Sequence, residues 1–390
     1  RVDSDFTNIS SVETLTLATA GSTTLGTTAQ AAGIVTINGA GGAETIDASG
    51  YTAALTFNAG ATGANVSTGS GDDNFVFDTG ELDSGVTLDG NGGNDTISLS
   101  NTVAAHTATV DMDDLSDIEM IRYTDTNGAG TGSADTFSIT IDVITETVSQ
   151  TVNLDFSAIT DTTDEVAMLN NAANATTKFS ITGGAGQDTL IGSNGADTIV
   201  GGSGADSITG GAGNDSIVAG AGADTVVAGL GSDTITLGSG TDTDVDVVSF
   251  DKDTLITATS TVTDFDAGTA TTSEDLISVG SNGNVTAWSA AATITQSTAT
   301  ATADARLIIL DSQSFATVGD AASAADNLHG SGVANSNQYL FAWTDTAGDV
   351  HISWGVQDAA TEVAVDQFTD LVELTGVSLS NLNLADFTFA

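Results

Sequence analysis

Between Gly183 and Gly240 the chain says one short phrase over and over: GGAGQDTLIGSNGADTIVGGSGADSITGGAGNDSIVAGAGADTVVAGLGSDTITLGSG. In register, Asp stands at 188, 197, 206, 215, 224, 233 and 242, each two residues after a glycine. Two residues beyond the first six stands an aliphatic: Leu190, Ile199, Ile208, Ile217, Val226 and Ile235. This is the pattern G-G-x-G-x-D-x-U-x, with U a large aliphatic. A unit this short cannot bury its own aliphatic, so a core forms only when neighbouring units stack. Each x-U-x triplet reads as a very short strand with U turned inward, and two phrases make one coil of a parallel solenoid. Asp188, Asp206, Asp224 and Asp242 then share one edge, and Asp197, Asp215 and Asp233 the other. With strands stacked about 5 Å apart, each edge is a ladder of like charges.

The glycines say what such ladders are for. Gly permits positive φ, so a loop can turn several carbonyl oxygens toward one point, and Asp adds negative charge there. An all-oxygen shell suits Ca²⁺, which takes six to eight oxygens at about 2.3–2.6 Å; Mg²⁺ wants a tighter octahedron. Zinc would want His or Cys, which the array lacks. Composition points the same way, because 52 Asp+Glu against 5 Lys+Arg leave a formal charge of -47. Such self-repulsion opposes compaction unless cations neutralise it. Nucleic acid is excluded as a partner, since phosphate binding needs clustered Lys and Arg. Disorder is disfavoured, because 40% of residues are hydrophobic and Val, Ile, Leu, Phe and Thr recur in alternating runs. With no Cys there are neither disulfides nor thiolate metal sites. No apolar run approaches the roughly 18 residues of a membrane span, so membrane insertion is not expected. The chain starts at Arg1, which suggests a processed or excised part of a longer protein.

The array resembles the RTX β-roll, a right-handed parallel roll with Ca²⁺ in its turns. The resemblance implies that the Asp of one loop and backbone carbonyls of neighbouring loops hold each ion, which makes Asp188, Asp197, Asp206, Asp215, Asp224, Asp233 and Asp242 the ligands. Departures are slight: Ala219 and Ala228 replace the first Gly, Ser193 the second, and Leu237 opens a fading seventh copy. Fainter copies lie upstream. TGSGDDNFV offers Asp73 with Phe75 at U, and GNGGNDTIS offers Asp95 with Ile97; both acids join the expected metal set. GAGGAETID offers Glu44 with Ile46, where the longer side chain favours an ordinary turn.

Four stretches organise the chain: residues 1–110, a β-rich unit with degenerate RTX loops; 111–182, a second diverged β unit with a short helix; 183–250, the nonapeptide roll; and 251–390, a β-rich C-terminal domain. The chain also reads as two diverged copies of one unit, the second ending in the nonapeptide array, because FTNISSVETLTLAT around Glu13 and MDDLSDIEMIRYTD around Glu119 are alike. Helices are expected over 163–176 and 319–330, and YLFAWTDTAGDVHISWG reads as a hairpin turning near Gly348. The fold class expected is all-β, a parallel β-roll or β-helix with a C-terminal β cap. VTDFDAGTATTSEDLISV is similar to segments that follow RTX repeats in proteins of type I secretion, and LADFTFA resembles the uncleaved signal of that pathway. As a whole the chain looks most like a bacterial S-layer protein of the Caulobacter type.

No catalytic signature is found, so an enzyme is not expected. H-E-x-x-H and G-x-S-x-G are absent, and His106, His329 and His351 are scattered. The run TDTDVDVVSFDKD imitates an EF-hand at Asp242, Asp244 and Asp246, but Val247 stands where Gly is needed and Asp253 where Glu is, so it reads as the acidic end of the roll. Trp288, Trp343 and Trp354 read as core anchors of C-terminal hairpins rather than a carbohydrate platform. The function expected is a secreted, extracellular, Ca²⁺-dependent structural protein that self-assembles into a surface layer or filament. Its partners would be further copies of itself and a cell-surface polysaccharide. The alternative is the C-terminal calcium-binding and secretion portion of a large adhesin or secreted enzyme.

Overall fold

The computed structural model describes residues 1–60, 63–78, 82, 85–101, 107–111, 115–125, 136–141, 151–170, 178–238, 244–251, 259–265, 275–280, 293–295, 307–315, 321, 337–357, 365–375, 377, 382 and 387–389. The chain divides into two compact units, Arg1–Gly204 and Ala205–Ala390.

Short x-U-x strands build the first unit. One parallel column runs through Thr14–Thr16, Thr36–Asn38, Thr56–Asn58, Asn74–Asp78, Thr96–Asn101, Met120–Asp125, Thr151–Asp155, Lys178–Thr182 and Thr198–Ser203. The register stacks like on like: Ile37 on Phe57, Phe57 on Phe75, Phe75 on Ile97, Ile97 on Ile121. All five are shut off from solvent, each contributing about 1.5–3 kcal/mol of apolar burial. A second column joins Ser22–Thr24, Thr45–Asp47, Asn65–Ser67, Thr87–Asp89 and Leu115–Ser116, with Ile46, Val66 and Leu88 inward. A third joins Thr107–Asp111, Thr136–Ile141, Glu165–Asn170 and Thr189–Ile191. Parallel neighbours oblige the chain to come round once per coil before pairing again.

The helix expected over 163–176 is wrong where the structure describes it. Glu165–Asn170 is a strand, with Val166 facing Phe137 and Met168 facing Ile139 across the ladder. Val166 and Met168 are buried while Glu165 is exposed, a period of two that the Ala- and Asn-rich continuation concealed. Residues 171–176 lie outside the described residues, as does the helix expected over 319–330 apart from Ala321, which is helical and buried.

In the second unit the array gives two parallel columns. Ser207–Ala212, Thr225–Leu230, Val247–Asp251, Leu276–Gly280 and Phe387–Phe389 form one. Ser216–Ala221, Thr234–Thr236 and Ser260–Thr263 form the other, which Val365–Leu374 extends. Buried Ile208, Val226, Val248 and Ile277 stack along the first, and Ile217, Ile235, Val262 and Leu374 along the second. The expected parallel β-roll is therefore present. The hairpin near Gly348 is also as expected: Asn337–Asp345 pairs antiparallel with Val350–Gln357, which pairs in turn with Val365–Leu374. That sheet satisfies the outer edge of Ser260–Thr263, where an unpaired strand would template further pairing. Trp343 is buried in the hairpin, its indole N–H donating to Ser353 Oγ at 2.9 Å. Trp288 and the side chain of Trp354 lie outside what is described. Among the described residues, no helix is long and apolar enough to cross a membrane.

Candidate cation-binding turns

Each repeat Asp among the described residues stands one residue before its strand, where the coil has just left its turn. The backbone N–H groups there have no strand partner yet, and the carboxylates supply one. In the first unit Leu55 N–H donates to Asp73 Oδ1 at 2.7 Å, Asp73 N–H to Asp95 Oδ1 at 2.7 Å, and Asp95 N–H to Glu119 Oε2 at 2.6 Å. Val166 N–H reaches Asp188 Oδ1 at 2.8 Å, and Phe179 N–H reaches Asp197 Oδ1 at 2.6 Å. In the second unit Asp206 N–H donates to Asp224 Oδ1 at 2.8 Å, Asp224 N–H to Asp246 Oδ1 at 2.9 Å, and Asp246 N–H to Asp275 Oδ1 at 3.0 Å. On its other edge Asp215 N–H donates to Asp233 Oδ1 at 3.0 Å, and Asp233 N–H to Ser260 Oγ at 3.1 Å. Asp73, Asp95, Asp188, Asp197, Asp206, Asp215, Asp224 and Asp233 are all buried.

The acids therefore form ladders between coils, buried within the turns. The step from Asp206 to Asp224 spans 18 residues, the expected pair of nonapeptides. The next step spans 22 and lands on Asp246, so Asp246 occupies the rung assigned to Asp242, which itself lies outside the described residues. Sequence reasoning also missed Glu119 and Asp275 as rungs, and Ser260 as a hydroxyl in the same role. A smaller signal would have found the acids: an Asp or Glu two residues before a buried aliphatic, as in Glu119-Met120-Ile121, Asp246-Val247-Val248 and Asp275-Leu276-Ile277, whatever the glycine content before it.

The second carboxylate oxygen faces back into its own turn. Gly184 N–H donates to Asp188 Oδ2 at 2.7 Å, Ser193 N–H to Asp197 Oδ2 at 2.5 Å, and Gly69 N–H to Asp73 Oδ2 at 3.3 Å. Glycines then leave room for something other than a side chain. A Cβ on Gly90 would lie 2.2 Å from both Asp117 O and Asp95 Oδ2. On Gly183 it would lie 2.1 Å from Gly201 O and 2.6 Å from Asp188 Oδ2, and on Gly210, 2.4 Å from Ala228 O and 2.5 Å from Asp215 Oδ2. In each turn the absence of a Cβ lets a carboxylate oxygen and a carbonyl oxygen from the following coil come close together beside the glycine. Asp95 Oδ2 is buried there and accepts no hydrogen bond. Among the described residues no three His, Asp or Glu side chains gather at one point, so carbonyls must complete any shell. Such oxygen-only donors fit a hard cation of flexible coordination, Ca²⁺ above all.

Burial makes these carboxylates reluctant anions. Asp95 is pushed up to about 7, by desolvation first and then by the charges of Asp73, Glu119 and Asp72. Asp73, Asp188, Asp197 and Asp233 are raised as well, burial being the largest cause each time. Without a cation the folded chain therefore holds protons that the unfolded chain has released. Its stability falls as pH rises from the ordinary carboxylate range, about 4, through about 7 for Asp95. Ion-free protein is expected to gain β circular dichroism when taken from pH 8 to pH 5, whereas the Ca²⁺ midpoint rises over the same interval as protons compete for the ligands. A β signal of ion-free protein that weakens on acidification would contradict this.

One polar cluster lies away from the turns. His351 Nδ1 sits 2.8 Å from Asp370 Oδ2, and the ring stacks on Trp343 at 4.4 Å. Burial opposes the imidazolium, but the Asp370 bond and the charges of Asp370, Glu373 and Asp345 outweigh it and raise the His351 pKa. Ser353 Oγ donates to Asp370 Oδ1 at 2.8 Å, so the hydroxyl is tied to the carboxylate and not to the imidazole that would activate a nucleophile.

Comparison with known proteins meets this geometry at the turns. The family model of the RTX calcium-binding nonapeptide repeat, in four copies, matches residues 86–101, 180–208 and 209–244. No curated protein and no solved structure matches the chain. The matched stretches contain the Gly90, Gly183 and Gly210 cradles with Asp95, Asp188 and Asp215. The chain carries RTX repeats, and the cation of that repeat family is Ca²⁺.

Proposed function

We propose that this chain is an extracellular structural protein that folds on Ca²⁺ after export and then assembles with further copies of itself into a surface layer or filament. The observation that carries the reading is the run of buried carboxylates along a parallel roll, in a chain with 52 acids and only 5 basic side chains to pair with them. Internal counter-charge is too scarce, so folding must wait for an external cation. Where Ca²⁺ is scarce the chain stays extended and exportable. At millimolar Ca²⁺, an affinity of about 10⁻⁴–10⁻³ M, usual for extracellular modules, suffices to fold it. Bound Ca²⁺ would be held by the repeat carboxylates and the carbonyls facing them, where it cancels charge and ties one coil to the next.

Assembly is supported by the repetitive parallel stacking of strand on strand within each unit, a form that further copies can continue. Electron microscopy of the purified chain with millimolar Ca²⁺ tests it. Ordered sheets or filaments are expected; monodisperse particles would instead favour the calcium-binding portion of a larger adhesin or secreted enzyme.

A further inference from the structure

The turn from Gly39 to Glu44 lies outside every stretch that the repeat family matches, and Glu replaces the Asp of the pattern there. Its geometry nevertheless repeats that of the matched turns. Glu44 stands one residue before the strand Thr45–Asp47, two before the inward Ile46, as Asp95 and Asp188 stand before Ile97 and Leu190. Its Oε1 accepts the N–H of Ala40, four residues back, the relation that Asp188 has with Gly184 and Asp197 with Ser193. The glycine five residues before the acid again borders both the carboxylate and a carbonyl of the following coil, less tightly than in the matched turns: a Cβ on Gly39 would lie 3.0 Å from Gly60 N, 3.2 Å from Glu44 Oε1 and 3.3 Å from Asn58 O. Gly41, at φ +74, faces Gly60 O. Glu44 is only 1% exposed, and its Oε2 is buried without a hydrogen-bond partner.

We propose that this turn is a further Ca²⁺ site, with the Glu44 carboxylate as its charged ligand and the carbonyls of Asn58 and Gly60 as neighbouring donors. A buried carboxylate oxygen without a donor is costly unless a cation meets it. The longer Glu side chain brings that oxygen to a turn whose loop sequence, GAGGAETID, has drifted from the nonapeptide. The inference rests on the reading of the repeats as Ca²⁺ sites and extends it beyond them.

The test counts bound Ca²⁺ on the full chain by equilibrium dialysis, for the parent, Glu44→Gln and Glu44→Asp. Glu44→Gln is expected to bind one ion fewer with its β signal in Ca²⁺ retained, and Glu44→Asp to bind the parent's number. A Glu44→Gln chain that binds as many ions as the parent overturns this inference alone, whereas a parent that binds none overturns the repeat reading with it. Should Glu44→Gln fail to fold, crystals of the parent grown with Ca²⁺ decide. An anomalous peak about 2.3–2.6 Å from a Glu44 carboxylate oxygen is expected. Peaks beside Asp188 and Asp215 with none beside Glu44 would overturn it.

Discussion

Excess EGTA is expected to abolish the β-sheet circular dichroism of this chain at neutral pH, and millimolar Ca²⁺ to restore it. One site with free Ca²⁺ at 100 times its Kd stabilises the fold by about 2.7 kcal/mol. A few such sites match the entire 5–15 kcal/mol that an ordinary domain has to spare. Removing the ions also leaves carboxylates in turns that desolvate them, Asp95 most clearly, with the charges of Asp73 and Glu119 close by. What opposes this is chiefly the stacked apolar side chains, from Ile37 to Ile121 in one unit and from Ile208 to Ile277 in the other. Mg²⁺ at equal concentration is expected to restore much less of the signal, because a shell of fixed carbonyls suits its tight octahedron poorly.

The second large effect concerns glycine. Gly231→Ala is expected to raise the Ca²⁺ midpoint severalfold and to cost at least about 2 kcal/mol, since positive φ alone costs an L-residue roughly 1–2 kcal/mol. At Gly231 φ is +137, and a Cβ would lie 1.6 Å from Gly213 O, a backbone atom of the preceding coil that cannot move without opening the turn. Gly348→Ala is the control. Its φ of +103 carries a similar backbone penalty, but nothing lies within 4 Å of the added methyl. The thermal midpoint of Gly348→Ala should therefore fall by no more than this backbone penalty, and its Ca²⁺ midpoint should move less than that of Gly231→Ala. Equal shifts in the two variants would show that turn geometry, and not the packing of coil on coil, sets the cost.

How far these features are legible in the sequence depends on how local their cause is. The roll is legible because Leu190, Ile199, Ile208 and the rest recur at one spacing, and only stacking can bury them. The 18-residue coil follows from the same spacing and is seen in the step from Asp206 to Asp224. Beyond the array the coils lengthen, to 22 residues between Asp224 and Asp246 and 29 between Asp246 and Asp275. No fixed period then announces them, and only the acid-x-aliphatic triplet survives. Glu119 and Asp275 escaped notice for that reason. The strand Glu165–Asn170 was mistaken because Ala167 and Met168 are good helix formers, and what decides between helix and strand there is the neighbouring strand Thr136–Ile141, with which it pairs in parallel register. The inward orientation of the acids was hidden for a similar reason. A ladder of charges suggests solvent, but here the N–H of one coil meets the carboxylate of the next, and no residue's own neighbours in sequence reveal it.

The central claim is that Ca²⁺ in the turns joins one coil to the next. Its most direct test is amide hydrogen exchange of the full chain, resolved to single residues, with and without Ca²⁺. The diagnostic amides are those of Asp206, Asp215 and Asp224, whose N–H groups donate to Asp224, Asp233 and Asp246 of the following coil. Strong protection in Ca²⁺ that is lost in EGTA is the expected result. Protection of those amides that is the same with and without Ca²⁺ would contradict the account.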